Sequence, residues 1–187
     1  MKKTEQRNLM IKPTLSDNKI SGTAVVFDKR SGDLGGFDEI INRDALNGVD
    51  LSDVLLLYNH DFGSVLARTS AGSLELNVDD TGVHFNAKLP KTTLGNDVRE
   101  NLSNGNVRGM SFGFTIDDRD WEEHDNGFTQ VVKRIGNIYE ISITSFPAYQ
   151  ETDVQLSQRS LDSFKNGNEE KANYKEWLAL QKEMYGG

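Results

Sequence analysis

The strongest constraint on the fold is a pair of alternating apolar runs in residues 74–89. Every second position is apolar on both sides of the turn sequence Asp-Asp-Thr-Gly: Leu74, Leu76, Val78, Val83, Phe85, Ala87 and Leu89. A period of two is typical of a strand buried on one face. Because Asp and Gly supply turn geometry between the runs, the pattern predicts a β-hairpin.

Other short segments, rich in β-branched and aromatic residues, predict strands over 20–27, 54–58, 107–116, 128–135 and 138–146. Residues 38–46 fit a short strand and a helical turn. Leu94, Val98 and Leu102 fall four apart before Gly105, which predicts one helix. Residues 28–37 and 117–127 are glycine-rich or charged and predict loops. The expected fold is mainly β with flanking helices (α+β), a closed or nearly closed barrel.

The composition changes after about residue 150. Residues 157–171 are polar and fit a linker or a flexible helix, while residues 173–185 carry apolar side chains at helical spacing. We therefore divide the chain into an N-terminal extension (1–19), a β-barrel domain (20–155), and a polar linker with a C-terminal helix (156–187).

Charge and residue usage exclude several functional classes. The 187 residues include 29 acidic and 21 basic side chains, which argues against sequence-independent nucleic-acid binding. The absence of cysteine removes disulfides, thiol nucleophiles and thiolate metal sites, and the three histidines lack metal-ligand spacing. No secretory leader is recognisable, and no apolar run approaches the roughly 20 residues of a membrane span. We expect no metal, cofactor or membrane partner.

The predicted strand over 107–116 has two unlike faces. Met110, Phe112 and Phe114 form an apolar face, whereas the opposite face holds Ser111, Gly113 and Thr115. Gly109 to Gly113 fit the G-x-S-x-G pattern of α/β-hydrolases, in which a helix follows the serine. Here the strand pattern continues, and only His124 follows Ser111, so we reject that class. The pattern alone favours Ser111 as a small residue beside a close neighbour, with a nucleophile as the alternative.

Three histidines and one carboxylate are candidate partners for Ser111. His60 follows the apolar run 54–58, where a rigid strand end can hold a catalytic base, although it could equally cap a turn. His84 lies on a polar strand face and His124 in a charged segment, so both are interpreted as surface residues. Glu140 lies within a β-branched strand and is costly to bury unless paired. It is either an orienting acid or an outward carboxylate.

Five segments together resemble the prohead (capsid maturation) proteases of tailed phages, of the HK97 type. They are residues 36–46, 56–61, 72–83 with Leu89-Pro90, the serine segment Val-Arg-Gly-Met-Ser-Phe-Gly-Phe at 107–114, and Ile-Tyr-Glu-Ile-Ser-Ile-Thr-Ser-Phe-Pro-Ala-Tyr at 138–149. The resemblance covers about residues 20–155. It implies a serine peptidase with a closed, herpesvirus-assemblin-like β-barrel. Leu46 departs from the family, which usually has an aromatic residue there.

The resemblance also implies roles for individual residues. His60, Ser111 and Glu140 follow the family's order of histidine, serine and acid. Assemblins place a second histidine third, and neither His84 nor His124 is at that position. The resemblance also implies oxyanion donors, which we take as the backbone N–H groups of Lys133, Arg134 and Ile135. It further implies a substrate groove, which we take as Gly109, Gly113 and Thr115.

The implied function is a cofactor-independent serine endopeptidase, packaged inside the prohead in the cytoplasm of the bacterial host. The expected substrates are the scaffolding segment of the major capsid protein and the enzyme itself. The portal is a candidate partner, self-association is expected, and part of 151–187 is interpreted as a targeting or self-cleaved extension. Two alternatives stay open: an inactive scaffold or capsid-assembly protein with the same fold, and a β-barrel binding module in which Ser111 is merely small.

Overall fold

The computed structural model describes residues 4–9, 13–125, 127–145 and 161–167. Ten strands are present in this part of the chain: β1 (Glu5–Leu9), β2 (Thr14–Ser16), β3 (Lys19–Val26), β4 (Phe37–Ile41), β5 (Leu55–Tyr58), β6 (Asp61–Arg68), β7 (Leu74–Asp79), β8 (Gly82–Lys88), β9 (Gly109–His124) and β10 (Gly127–Thr144). They are accompanied by a 3-10 turn (Arg43–Leu46), the helix α1 (Thr93–Ser103) and a helical segment over 161–167. The predicted mainly β fold with helices is confirmed.

The described strands form two sheets around one core. The first sheet has the order β1-β9-β10-β5-β6, with β4 also paired to β10, and the second has the order β2-β3-β8-β7. Phe112 of the first sheet, Phe85 of the second and Val98 of α1 belong to the same buried cluster. The two sheets therefore bury their apolar faces against each other, and α1 packs against the same core.

The predicted hairpin and helix are both confirmed. Strands β7 and β8 pair antiparallel, from Leu74 opposite Ala87 to Asp79 opposite Gly82. The side chain of Thr92 accepts a hydrogen bond from the backbone N–H of Gly95 and caps the start of α1. Gly105 follows the helix with a φ of 72°, a left-handed conformation that glycine adopts without a Cβ penalty.

The loop predicted over 117–127 is wrong. Strand β9 continues through these charged residues to His124, and β10 returns as one uninterrupted strand instead of the two predicted. Beyond Thr115 the β9 side chains are exposed or half-buried, so charge is compatible with a two-stranded ribbon. The predicted break between 135 and 138 is instead a set of register shifts between Val132 and Asn137, which accommodate Gly136 without ending the strand.

The N-terminal extension contains more regular structure than predicted. The predicted extension 1–19 contains β1, which pairs with β9, and β2, which pairs with β3. The helical segment 161–167 lies within 157–171, which was predicted as a linker or a flexible helix, and its Leu161 packs with Leu34 and Phe37. The predicted C-terminal helix over 173–185 lies outside the described residues, and the division into domains stays a prediction. Among the described helices, none is long and apolar enough to cross a membrane.

A buried ion pair joins the N-terminal strand β1 to β4. Arg7 of β1 donates from Nε to Glu39 Oε1 at 2.8 Å and from a terminal nitrogen to Glu39 Oε2 at 2.9 Å. Gln130 donates to the same Oε2 at 2.6 Å. Burial lowers the pKa of Arg7, but the charges of Glu39 and Glu5 more than offset it and raise the pKa above its usual value. Arg7 therefore stays charged.

We expect Glu39→Ala to destabilise the protein by up to about 3–5 kcal/mol, because the buried guanidinium of Arg7 would keep only Glu5 as a charged partner and Gln130 would lose its acceptor. Urea unfolding measures this change. Arg43→Ala is the control, since Arg43 pairs with Asp28 at the exposed surface and should matter little. Equal losses of unfolding free energy in the two variants would show that burial of the Arg7–Glu39 pair is unimportant.

Candidate active site

The two faces predicted for β9 are present, but the polar face is not open. Met110, Phe112 and Phe114 are buried in the core cluster as predicted. On the opposite face, Ser111 and Thr115 are both 0% exposed. This strand therefore packs on both faces, and its small side chains lie beside other residues of the sheet.

The pairing of β9 with β10 identifies those neighbours. Ser111 is opposite Ser142, and Gly113 is opposite Glu140. Directly opposed residues of an antiparallel pair point to the same face, with Cα atoms about 4.5–5.5 Å apart. Ser111, Gly113, Glu140 and Ser142 therefore form one compact patch on the face opposite the aromatic core.

A tight turn brings His60 to this patch. Strand β5 pairs parallel with β10, with Leu57 opposite Ser142 and Tyr58 opposite Ile143, and the chain then turns through Asn59 and His60 into β6. Both turn residues have positive φ, 52° and 59°, a strained conformation for non-glycine residues.

Hydrogen bonds to the end of β10 hold this strained turn. The backbone N–H of Asn59 donates to the carbonyl of Ile143 at 2.9 Å, and its side-chain oxygen accepts from the N–H of Ser145 at 3.2 Å. The N–H of His60 donates to Ser142 Oγ at 3.2 Å. The left-handed conformation of His60 is thus maintained by the strand that carries Glu140.

His60 and Glu140 form a nearly buried pair. The Nδ1 of His60 lies 2.8 Å from Glu140 Oε1, and the two side chains are 10% and 3% exposed. The other carboxylate oxygen, Oε2, accepts a hydrogen bond from Ser142 Oγ at 2.5 Å. An imidazole that donates from Nδ1 to a carboxylate has its lone pair on Nε2, where it can accept a proton.

Gly113 makes room for this carboxylate. A Cβ on Gly113 would lie 2.5 Å from Glu140 Oε1, closer than real Cβ contacts allow. The sequence predicted that Gly113 keeps a substrate path clear. In the structure the cleared space is occupied by Glu140, so the acid itself explains this glycine.

Ser111 is close in the sheet to Ser142 but is not engaged. Its Oγ is buried and makes no hydrogen bond within the part of the chain that the structure describes. An unpaired buried hydroxyl is unfavourable, and nucleophile–base hydrogen bonds are often loose before substrate binds. Of the three predicted triad members, the structure pairs the base with the acid and leaves the hydroxyl unbonded.

The oxyanion donors, predicted as backbone N–H groups of Lys133, Arg134 and Ile135, stay a prediction. Ile135 lies seven residues before Ser142 on β10 and Lys133 nine residues before it. Register shifts between Val132 and Glu140 bend this part of β10, so the residue count alone does not give the distance of these N–H groups from Ser111. An oxyanion donor must lie about 3 Å from the oxygen of the reacting carbonyl. The Lys133 side chain instead pairs with Asp120 at the ribbon surface.

The other predicted groove residues have structural partners. Thr115 is buried, and its Oγ1 accepts a hydrogen bond from the N–H of Asn137 at 3.1 Å. Gly109 begins β9 opposite Thr144. A groove lined by Thr115 would therefore require a different arrangement of this strand, and the groove assignment stays a prediction.

The two remaining histidines lie elsewhere. His84, in the second sheet, lies 3.1 Å from the hydroxyl of Thr23 and 3.0 Å from that of Thr81. His124 lies at the exposed end of the ribbon, 3.4 Å from Arg30. Within the described ranges, no three His, Asp or Glu residues are arranged to hold a metal ion.

Sequence reasoning missed Ser142. The signal was the period of two in β10, which places Ser142 on the same face as Glu140. Nothing in the sequence distinguishes it from the other small hydroxyl residues of that segment, because its importance comes from contacts with a turn 82 residues away.

Comparisons with known proteins identify the family. The family model described as Caudovirus prohead serine protease matches residues 6–167. Among solved structures, the capsid assembly protease of bacteriophage T4 is similar over 75% of this chain and 98% of that chain, with 11% identity and a TM-score of 0.45. No curated protein matches this chain. The family match spans most of the chain.

We expect Gly113→Ala to destabilise the protein by about 1–3 kcal/mol, because the new methyl group would collide with the Glu140 carboxylate. Combining it with Glu140→Ala should cost less than the sum of the two single changes. Urea unfolding of the four proteins in this cycle measures the coupling, and strictly additive losses would show that the contact is unimportant.

Proposed function

This chain belongs to the Caudovirus prohead serine protease family, and we propose that it matures a phage capsid by cleaving the scaffolding segment of the major capsid protein. Membership makes the chain a serine protease. One observation supports the catalytic assignment beyond the family: His60 Nδ1 lies 2.8 Å from Oε1 of Glu140, and Glu140 is on β10, the strand that pairs with the Ser111 strand.

In the proposed mechanism Ser111 is the nucleophile and His60 the general base. The Oγ bonds to the scissile carbonyl carbon while its proton passes to His60 Nε2, and Glu140 stabilises the imidazolium. The imidazolium then gives the proton to the leaving amine as the peptide bond breaks, which leaves an acyl ester on Ser111. Water, activated by the same imidazole, hydrolyses this ester.

The burial of Ser111 adds an opening step to this mechanism. With an exposed fraction of 0%, Ser111 cannot meet a peptide carbonyl without movement of the groups around it. Strand β1 pairs with β9 directly at this position, with Asn8 opposite Ser111. We therefore propose that the described arrangement is a resting form and that substrate binding uncovers the hydroxyl.

The finer features of the family resemblance are part of the same proposal. Two sheets that share one core are compatible with a closed, assemblin-like barrel, which a hydrogen-bonded seam between the sheets would complete. We propose that the enzyme is packaged within the prohead in the bacterial cytoplasm. It would self-associate there, have the portal as a candidate partner, and carry a targeting or self-cleaved tail within 151–187.

Both Ser111→Ala and His60→Ala should abolish cleavage of co-expressed capsid protein, with rate losses on the order of 10⁶, since nucleophile and base act as a unit. Glu140→Gln should be milder, on the order of 10⁴. Mass spectrometry of the capsid protein gives the readout. Ser103→Ala, which removes an exposed hydroxyl on α1, is the control and should cleave normally.

Two outcomes separate this proposal from its alternatives. Undiminished cleavage by Ser111→Ala would exclude the mechanism. A peptidyl phosphonate, which binds as the substrate does and can therefore uncover the hydroxyl, should label the wild type at Ser111 and not the Ser111→Ala variant. An inactive scaffold or a binding module would not label at this residue.

Self-cleavage of the tail is tested by the mass of the chain itself. After capsid maturation the wild type should be shorter than Ser111→Ala, with the difference falling within 151–187. The same full-length mass in both proteins would contradict a self-cleaved tail.

A further inference from the structure

Ser142 lies at the centre of the candidate site. On β10 it is two residues from Glu140, opposite Ser111 of β9 on one side and opposite Leu57 of β5 on the other. Its exposed fraction is 0%. A buried hydroxyl needs hydrogen-bond partners, and the partners of Ser142 are the proposed acid and the proposed base.

The direction of both hydrogen bonds follows from simple proton accounting. The backbone N–H of His60 can only donate, so Ser142 Oγ accepts this bond, 3.2 Å long. The single hydroxyl proton is then available for Glu140 Oε2 at 2.5 Å. With the His60 Nδ1–Glu140 Oε1 bond of 2.8 Å, three hydrogen bonds close a ring through the imidazole, the carboxylate, the hydroxyl and the backbone of the base.

From this ring we infer that Ser142 is a positioning residue of the protease. Its hydroxyl donates a hydrogen bond to Oε2 of Glu140, so the carboxylate can rotate only by breaking this bond. Hydrogen bonds to a charged group are among the strongest in proteins. Ser142 also holds the N–H of His60, whose φ of 59° needs support. The inference rests on the proposed roles of Ser111, His60 and Glu140.

Removal of the hydroxyl would leave two buried polar groups without their partner. Glu140 Oε2 and the His60 N–H would both lose their bond to Ser142, and the imidazole would lose one constraint on its orientation. Catalysis depends on such orientation, whereas peptide binding does not involve a group buried between two strands. The expected result is a lower kcat with an unchanged KM.

Thr144 is a matched control on the same strand. It lies two residues beyond Ser142 on the same face and is 4% exposed, and its hydroxyl has no hydrogen-bond partner within the described residues. Thr144→Val removes this hydroxyl and keeps the shape of the side chain. Because the Thr144 hydroxyl makes none of these bonds, this variant controls for the removal of polarity from β10 without the loss of a hydrogen bond.

The test compares Ser142→Ala, Ser142→Cys, Ser142→Thr and Thr144→Val with wild type on a soluble peptide taken from the mapped capsid cleavage site. Ser142→Ala should lower kcat on the order of tenfold to a hundredfold, as expected for one lost buried hydrogen bond. Ser142→Thr and Thr144→Val should stay within about threefold of wild type. If Ser142→Ala does not fold, Ser142→Cys keeps the volume with a poor donor and should still fall at least about tenfold below Ser142→Thr.

A spectroscopic measurement tests the ring independently of turnover. In protein labelled with ¹⁵N-histidine, the Nδ1–H resonance of His60 should move or broaden in Ser142→Ala or Ser142→Cys and not in Thr144→Val. An unchanged His60 resonance together with a wild-type kcat in both Ser142→Ala and Ser142→Cys would overturn the inference. Loss of activity in Ser111→Ala under the same conditions would then show that the proposed function stands while the role of Ser142 fails.

Discussion

The pairing of β9 with β10 is the constraint on which the rest of the site depends. Its register places Ser111 opposite Ser142 and Gly113 opposite Glu140. A register slip of one residue would point the side chain of Glu140 toward the aromatic core. It would also move the hydroxyls of Ser111 and Ser142 away from their shared face. The alternating apolar residues of both strands prevent such a slip, since Phe112 and Ile141 are buried on the opposite face. Packing of the core therefore determines the geometry of the polar patch behind it.

Two buried carboxylates show how the sheet accommodates charge. Glu39 is neutralised by Arg7 and hydrogen-bonded by Gln130, whereas Glu140 has His60 on one oxygen and Ser142 on the other. The first arrangement carries a permanent counter-charge and ties β1 to the sheet. In the second the partner is an imidazole, which as the neutral base carries no charge and becomes a counter-charge only when it accepts a proton during a reaction. This difference separates a purely structural pair from a pair suited to proton transfer.

Local pattern was sufficient for elements whose burial follows their own periodicity. Strands β7 and β8 and helix α1 were predicted correctly because their apolar residues repeat at two or at four. The charged half of β9 was mistaken for a loop, since its side chains face solvent and show no apolar period. Strand β6 was not predicted because its buried residues, Leu66 and Ala67, are adjacent and do not alternate. The oxyanion donors were assigned by analogy with a related fold, and that assignment stays a prediction.

The sequence by itself determined the family, the order of histidine, serine and acid, and the two faces of the strand that carries Ser111. These are properties of residue types and spacing along one segment at a time. Only the tertiary structure decided that Glu140 is buried against His60, that Gly113 exists to make room for that carboxylate, and that Ser142 joins the two. The physical reason is that these contacts cross between strands and a turn up to 82 residues apart. Their energies depend on burial and distance, which no local pattern encodes.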